Sequence, residues 1–121
     1  MLLVGCGGKS LDISFEQPAC SAGDTGSAED FSAELIAEDT VLASRLAVEQ
    51  PCSATFVPEV TVVSRDLVEI REYWQEGASS DCTTCFSPGV ELTPVSGREL
   101  EIHWYVGDET LPSHVAEVPL R

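Results

Sequence analysis

Basic residues are scarce in this chain. One lysine and five arginines face 21 acidic side chains, for a net charge of −15. Such a chain repels phosphate backbones and anionic lipid head groups, so electrostatic docking to nucleic acid is excluded as a role. Cationic partners, metal ions, or a plain solubilising surface remain, and a solubilising surface is the commonest use of acidic charge. Long apolar runs are lacking too. Nothing approaches the ~20 apolar residues that a membrane-spanning helix requires. With 121 residues there is room for one domain with a real core but not for two. At 43% apolar the composition is that of a folded chain, not a disordered one.

The chain starts MLLVGCGGKS. Gly8-Lys9-Ser10 resembles the tail of a phosphate-binding loop, but the first glycine of that pattern would fall on Leu3. A dinucleotide-binding loop fails in the same way: Gly5 and Gly7 fit, and Ser10 stands where the third glycine belongs. Leu3-Val4-Gly5-Cys6 instead resembles a bacterial lipobox, in which the cysteine is acylated on sulfur and the peptide before it is removed. A polar, glycine-rich stretch after Cys6 suits a tether. Met1 to Gly5 fall short of the roughly 7–15 apolar residues of a signal peptide, so the expectation includes a start upstream of Met1. The competing reading makes Leu2 to Val4 an edge strand and Cys6 an ordinary thiol. On the lipobox reading, residues 1–10 are signal remnant, lipobox and tether, and residues 11–121 form a single domain.

Setting Cys6 aside leaves Cys20, Cys52, Cys82 and Cys85. An even number in an exported chain implies two disulfides, with three possible connectivities. Cys82 and Cys85 are expected to take different partners, Cys52 and Cys20. The working assignment is Cys52–Cys85 with Cys20–Cys82. In a reducing compartment the same CxxC would suggest zinc, with Cys52, Cys82, Cys85 and His103 as the ligand set. A thioredoxin-like pair would need a helix after the motif, and Phe86-Ser87-Pro88-Gly89 cannot continue one.

Period-two alternation runs along most of the chain. Leu11, Ile13 and Phe15 alternate with polar residues. Phe31, Ala33 and Leu35 share one side of a strand, and a turn at Glu38-Asp39 joins it to a second strand with Leu42, Ser44, Leu46 and Val48 on one side. Residues 55–63 read as a strand interrupted at Pro58. Val68 and Ile70 alternate with Glu69 and Arg71, and residues 85–92 form a strand with an internal proline. Leu100, Ile102, Trp104 and Val106 face in, with Glu99, Glu101, His103 and Tyr105 facing out. Residues 114–120 close as an edge strand. Pro58, Pro88 and Pro119 are expected to guard sheet edges. The fold class is all-β: an antiparallel two-sheet sandwich of about seven or eight strands with no helix required.

Residues 30–106, with the motifs Cys52-Ser-Ala-Thr-Phe56 and Cys82-Thr-Thr-Cys85-Phe86, resemble small immunoglobulin-like β-sandwich lipoproteins of bacterial envelopes. In these a cysteine segment precedes a strand and hairpin, and a paired-cysteine motif leads into the last hairpin. This chain has one cysteine at 52 and a CxxC where some relatives have CC and CxC, which makes Cys20 the source of the missing partner. The resemblance implies a fold and a compartment but no activity.

Several constellations fall short of chemistry. Asp24-Thr25-Gly26-Ser27 matches the aspartic-protease signature, but the residues before it read as loop rather than apolar strand. Asp24, Glu29 and Asp30 offer oxygens for Ca²⁺ without EF-hand spacing. His103 and His114 read as surface residues, and Tyr73 or Trp74 as an exposed anchor for a protein or glycan partner. No nucleophile-elbow spacing occurs. The expectation is a non-enzymatic protein with no cofactor, lipid-anchored through Cys6 at the outer membrane and facing the periplasm or the cell surface. The alternative is a periplasmic Zn or Cu binding protein.

Overall fold

A computed structural model describes residues 11–20, 31–77 and 81–120. Cys6 and the acidic loop with Asp24, Glu29 and Asp30 lie outside the described residues. In chain order the strands are β1 (Asp12–Glu16), β2 (Phe31–Ala37), β3 (Thr40–Arg45), β4 (Val48–Pro51), β5 (Thr55–Phe56) and β6 (Glu59–Ser64). They continue as β7 (Leu67–Glu72), β8 (Trp74–Gln75), β9 (Thr83–Phe86), β10 (Gly89–Thr93), β11 (Glu99–Val106) and β12 (His114–Pro119). The described residues are all-β and contain no helix.

Two four-stranded sheets carry the core. Sheet I has the order β1-β10-β3-β2 and sheet II the order β12-β11-β7-β6. Two ribbons, β4-β9 and β5-β8, complete the described pairings. Among the described residues the strand count therefore exceeds the seven or eight expected, and the sheets number four rather than two. Backbone breaks account for the excess: Val57-Pro58 parts β5 from β6, Tyr73 parts β7 from β8, and Ser87-Pro88 parts β9 from β10. One pairing is also not antiparallel. Strands β7 and β11 run parallel, with Val68 beside Ile102 and Ile70 beside Trp104. Between them the chain visits β8, β9 and β10 in three other sheets and returns in its original direction.

The inward residues of both sheets make one cluster. Val41, Ala43, Val90 and Leu92 come from sheet I, and Val68, Ile70, Leu100, Ile102, Trp104 and Val118 from sheet II. Each fully buried aliphatic side chain contributes about 1.5–3 kcal/mol. The β2–β3 hairpin and its turn at residues 38–39 are as expected, and Phe31, Ala33 and Leu35 pack against the core. On β3, however, the buried residues are Val41 and Ala43 rather than Leu42 and Ser44. Ala47, at φ 61°, breaks the alternation, so that Val48 beyond it can also be buried. That left-handed conformation is uncommon for any residue but glycine, and it marks a break between two strands that the sequence reads as one.

Edges behave unevenly. Strand β1 forms on β10, with Ile13 and Phe15 opposite the buried Leu92 and Val90, yet both side chains stay exposed. Val62, opposite buried Val68 on edge strand β6, is exposed in the same way. Gln17, just past β1, ties this region down: its side-chain amide donates to Ala54 O and accepts from Phe56 N. Pro119 does lie in an edge strand, but Pro88 is fully buried beside β10, an interior strand, and its carbonyl accepts from Arg45 N.

Candidate functional site

The cysteines come first because they bear on the metal reading. Cys20 is bonded to Cys85 and Cys52 to Cys82, each with Cα atoms 5.4 Å apart. The working assignment is thus corrected, and strand register gives the reason. Strands β4 and β9 pair antiparallel with Pro51 opposite Thr83, so the next pair outward is Cys52 and Cys82. On the other side of β9, Ala19 bridges Phe86, so the next pair is Cys20 and Cys85. Each disulfide joins residues that lie directly across from one another. Joining Cys52 to Cys85 would require a slip of three residues, because Cys85 faces Glu49. The CxxC thereby staples β9 to a neighbour on each side.

The proposed ligand set Cys52, Cys82, Cys85 and His103 is overturned on the same ground. All three sulfurs are bonded to another sulfur and offer no thiolate. His103 lies on β11 in sheet II, where its Nε2 meets Glu101 Oε2 at 2.5 Å. His114 is half-buried and stacks on Phe31, with ring centres 5.0 Å apart. Trp74 is not an exposed anchor: it packs against the core, 5.5 Å from the Phe56 ring. Tyr73 is half-buried and donates its phenol to Asp108 Oδ1 at 2.8 Å.

The polar centre of the molecule is one that sequence reading missed. Glu72 continues the inward phase of Val68 and Ile70 and is buried. Its carboxylate accepts from Arg45 Nε at 2.8 Å and Nη2 at 3.2 Å, from Trp74 Nε1 at 2.7 Å, and from Trp104 Nε1 at 3.0 Å. Arg45 ends β3 in sheet I, whereas Glu72 ends β7 in sheet II, so the pair ties the sheets together. Both tryptophans of the chain are donors here. Four donors on two oxygens leave the carboxylate poorly placed to act as a general base, because it has no free lone pair aimed at a cavity. A carboxylate in phase with core residues is the sequence signal for such a centre.

A second network pins the β11–β12 loop. Arg71 lies over the Tyr105 ring at 4.3 Å and donates to Gly107 O and Glu109 O. Tyr105, on the outward face of β11, is buried under it and donates to Glu69 Oε2. Burial and the Glu69 carboxylate push the Tyr105 phenol above its ordinary pKa, and the Asp108 hydrogen bond does the same to Tyr73. Glu109 accepts from Ser113 Oγ and Val106 N, which holds its carboxyl below the usual range.

A surface depression with a volume of about 580 Å³ lies at one end of sheet II. Its walls are the β6–β7 turn, Ser64-Arg65-Asp66, and the loop before β11, Ser96-Gly97-Arg98. These loops are distant in sequence, and parallel pairing brings them together: β7 and β11 start at the same end of the sheet. Glu101 N donates to Asp66 O at 2.9 Å across the join. Gly97 turns the chain at φ +100°, a conformation that suits glycine. Sequence reading did not single out this site, because nothing local to either loop announces the other. Comparison with known families, with curated proteins and with solved structures finds no match.

Proposed function

We propose that this chain is an exported, lipid-anchored β-sandwich protein of the bacterial cell envelope, with a non-catalytic binding or structural role. The observation that carries the reading is the use of the cysteines. Four of the five are joined as two disulfides, a pattern of oxidising compartments, and the odd one, Cys6, sits in the lipobox-like segment. An immunoglobulin-like topology is the finer form of the proposal. A core shared between two four-stranded sheets supports it, and the parallel β7–β11 pair is its main departure from that plan. Acylation at Cys6 would fix the membrane, not nucleic acid, as the first partner.

The test uses the native gene with its upstream reading frame in its own host. Mass spectrometry of the purified protein should find a processed N-terminus at Cys6 carrying acyl chains, and Cys6→Ala should move the protein out of the membrane fraction. An unacylated chain that starts at Met1 and stays soluble would overturn the anchor. A thiol count under denaturing conditions tests the compartment separately. The expected count beyond Cys6 is zero.

A further inference from the structure

We infer that the depression between the β6–β7 turn and the β10–β11 loop is a binding site for a small zwitterionic ligand, one that carries a carboxylate and an ammonium group. The inference goes beyond the envelope reading and holds whether or not Cys6 is acylated. It starts from how few cations the chain has and where they are. Of the four arginines among the described residues, Arg45 is committed to Glu72, and Arg71 to the Tyr105 ring and two loop carbonyls. Arg65 and Arg98 have no ion-pair or side-chain hydrogen-bond partner among the described residues, and both line this one depression. A guanidinium is a planar fork that suits an oxyanion, and two on facing walls offer a carboxylate a donor from each side.

The remaining walls decide against a plain anion. Asp66, Glu99 and Glu101 also line the depression, and the whole chain carries −15. Asp66 accepts from Ser64 Oγ, and one Glu101 oxygen meets His103, which leaves Glu99 the carboxylate with no such commitment. A phosphate or sulfate dianion would face three carboxylates at close range and a repulsive field at long range. A zwitterion has no net charge to be repelled. Its carboxylate meets Arg65 and Arg98, and its ammonium meets Glu99 and its acidic neighbours. The volume is within the range of small-molecule sites and leaves room for more than a single amino acid.

The experiment is calorimetric titration of the full chain with glycylglycine, with its N-acetylated and its C-amidated forms, and with inorganic phosphate. Amide chemical shifts at residues 64–66 and 96–98 are followed in parallel. Glycylglycine is expected to bind saturably and to shift both loops. Blocking either terminus should weaken binding about tenfold or more, the loss typical of one charged hydrogen-bonding group. Arg65→Gln and Arg98→Gln should each do the same without lowering the melting temperature, since both side chains are exposed. Absence of saturable binding overturns the proposal. So does binding that survives both arginine substitutions, equal affinity for the blocked peptides, or tighter binding of phosphate than of glycylglycine.

Discussion

Arg45 and Glu72 join the two main sheets, 27 residues apart in sequence and 2.8 Å apart in space. The pair is buried on its Glu72 side and fully hydrogen-bonded, with both indoles completing the acceptor sites. Removing Glu72 leaves the guanidinium and both indoles as donors without an acceptor, and removing Arg45 leaves a buried carboxylate without its counter-charge. Glu72→Ala should therefore destabilise by about 3–5 kcal/mol, and Arg45→Ala by a similar amount. Replacing both, as Arg45→Met with Glu72→Leu, should recover only part of the loss, because the uncompensated charge is gone but the Trp74 and Trp104 indole N–H groups still lack their acceptor. Urea unfolding followed by tryptophan fluorescence reads this directly, since both tryptophans sit on the carboxylate. A loss below about 1 kcal/mol for Glu72→Ala, the worth of one ordinary hydrogen bond, would show that the network is not what holds the sheets.

The two disulfides form nested loops, Cys52–Cys82 inside Cys20–Cys85, with sequence separations of 30 and 65. With the inner bridge in place, the outer one closes a shorter effective loop than its separation suggests. Chain-entropy reasoning then gives about 4 kcal/mol for removal of the outer bridge and about 3 kcal/mol for the inner one. Paired serine substitutions and denaturant midpoints test the order. A non-reducing peptide map should link the Cys20 peptide to Cys85 and the Cys52 peptide to Cys82. A map that joins Cys52 to Cys85 would contradict the β4–β9 register itself.

Strand content was legible because alternation is a local signal. Residues 99–104 show it: Leu100, Ile102 and Trp104 are buried as their period requires, whereas Tyr105, expected outward, is buried too and Val106 is only half-buried. Phase was less legible. Leu42 and Ser44 alternate as well as Val41 and Ala43 do, and only the sheet packing decides which pair faces in. Ile13 and Phe15 have the pattern of a half-buried strand but lie at an edge that sheet II does not cover. Pairing between distant segments was not legible at all. The parallel neighbours β7 and β11, the partners of Cys82 and Cys85, and the placing of Arg65 and Arg98 around one depression all depend on topology. Glu72 is the intermediate case, since its phase was visible in the sequence while its partners were not.

The phase of β3 can be tested at two adjacent residues. Val41 is fully buried, whereas Leu42 is half-buried on the opposite face. Val41→Ala should cost about 2 kcal/mol, from lost transfer energy and the cavity left behind. Leu42→Ala removes more carbon yet should cost less, because its surface is partly in water already. Chemical denaturation of the two variants side by side decides the matter. A greater loss at Leu42 would restore the phase that alternation alone suggested.

Both tyrosines of the chain should titrate above the ordinary value of 10.0. Tyr73 is raised first by its hydrogen bond to Asp108, because a phenolate there would face a carboxylate. Tyr105 is raised first by burial and then by Glu69, while Arg71 opposes both shifts. The folded chain thus holds these protons more tightly than the unfolded chain does. The stability they lend is present below pH 10 and is lost as pH rises through the raised folded values. Glu109 works at the other end. Its carboxyl is lowered by Ser113 and by Val106 N–H, so its contribution is present above its ordinary pKa of 4.5 and lost as pH falls through the lowered value. Ultraviolet difference titration counts the tyrosinates as they form. Asp108→Asn should bring one of the two transitions down toward 10.0 and leave the other in place, because Tyr105 is raised by its own burial and by Glu69 instead. Two tyrosines that titrate together at the ordinary value would remove the basis for tying the β11–β12 loop to the rest of the fold through Tyr73 and Asp108.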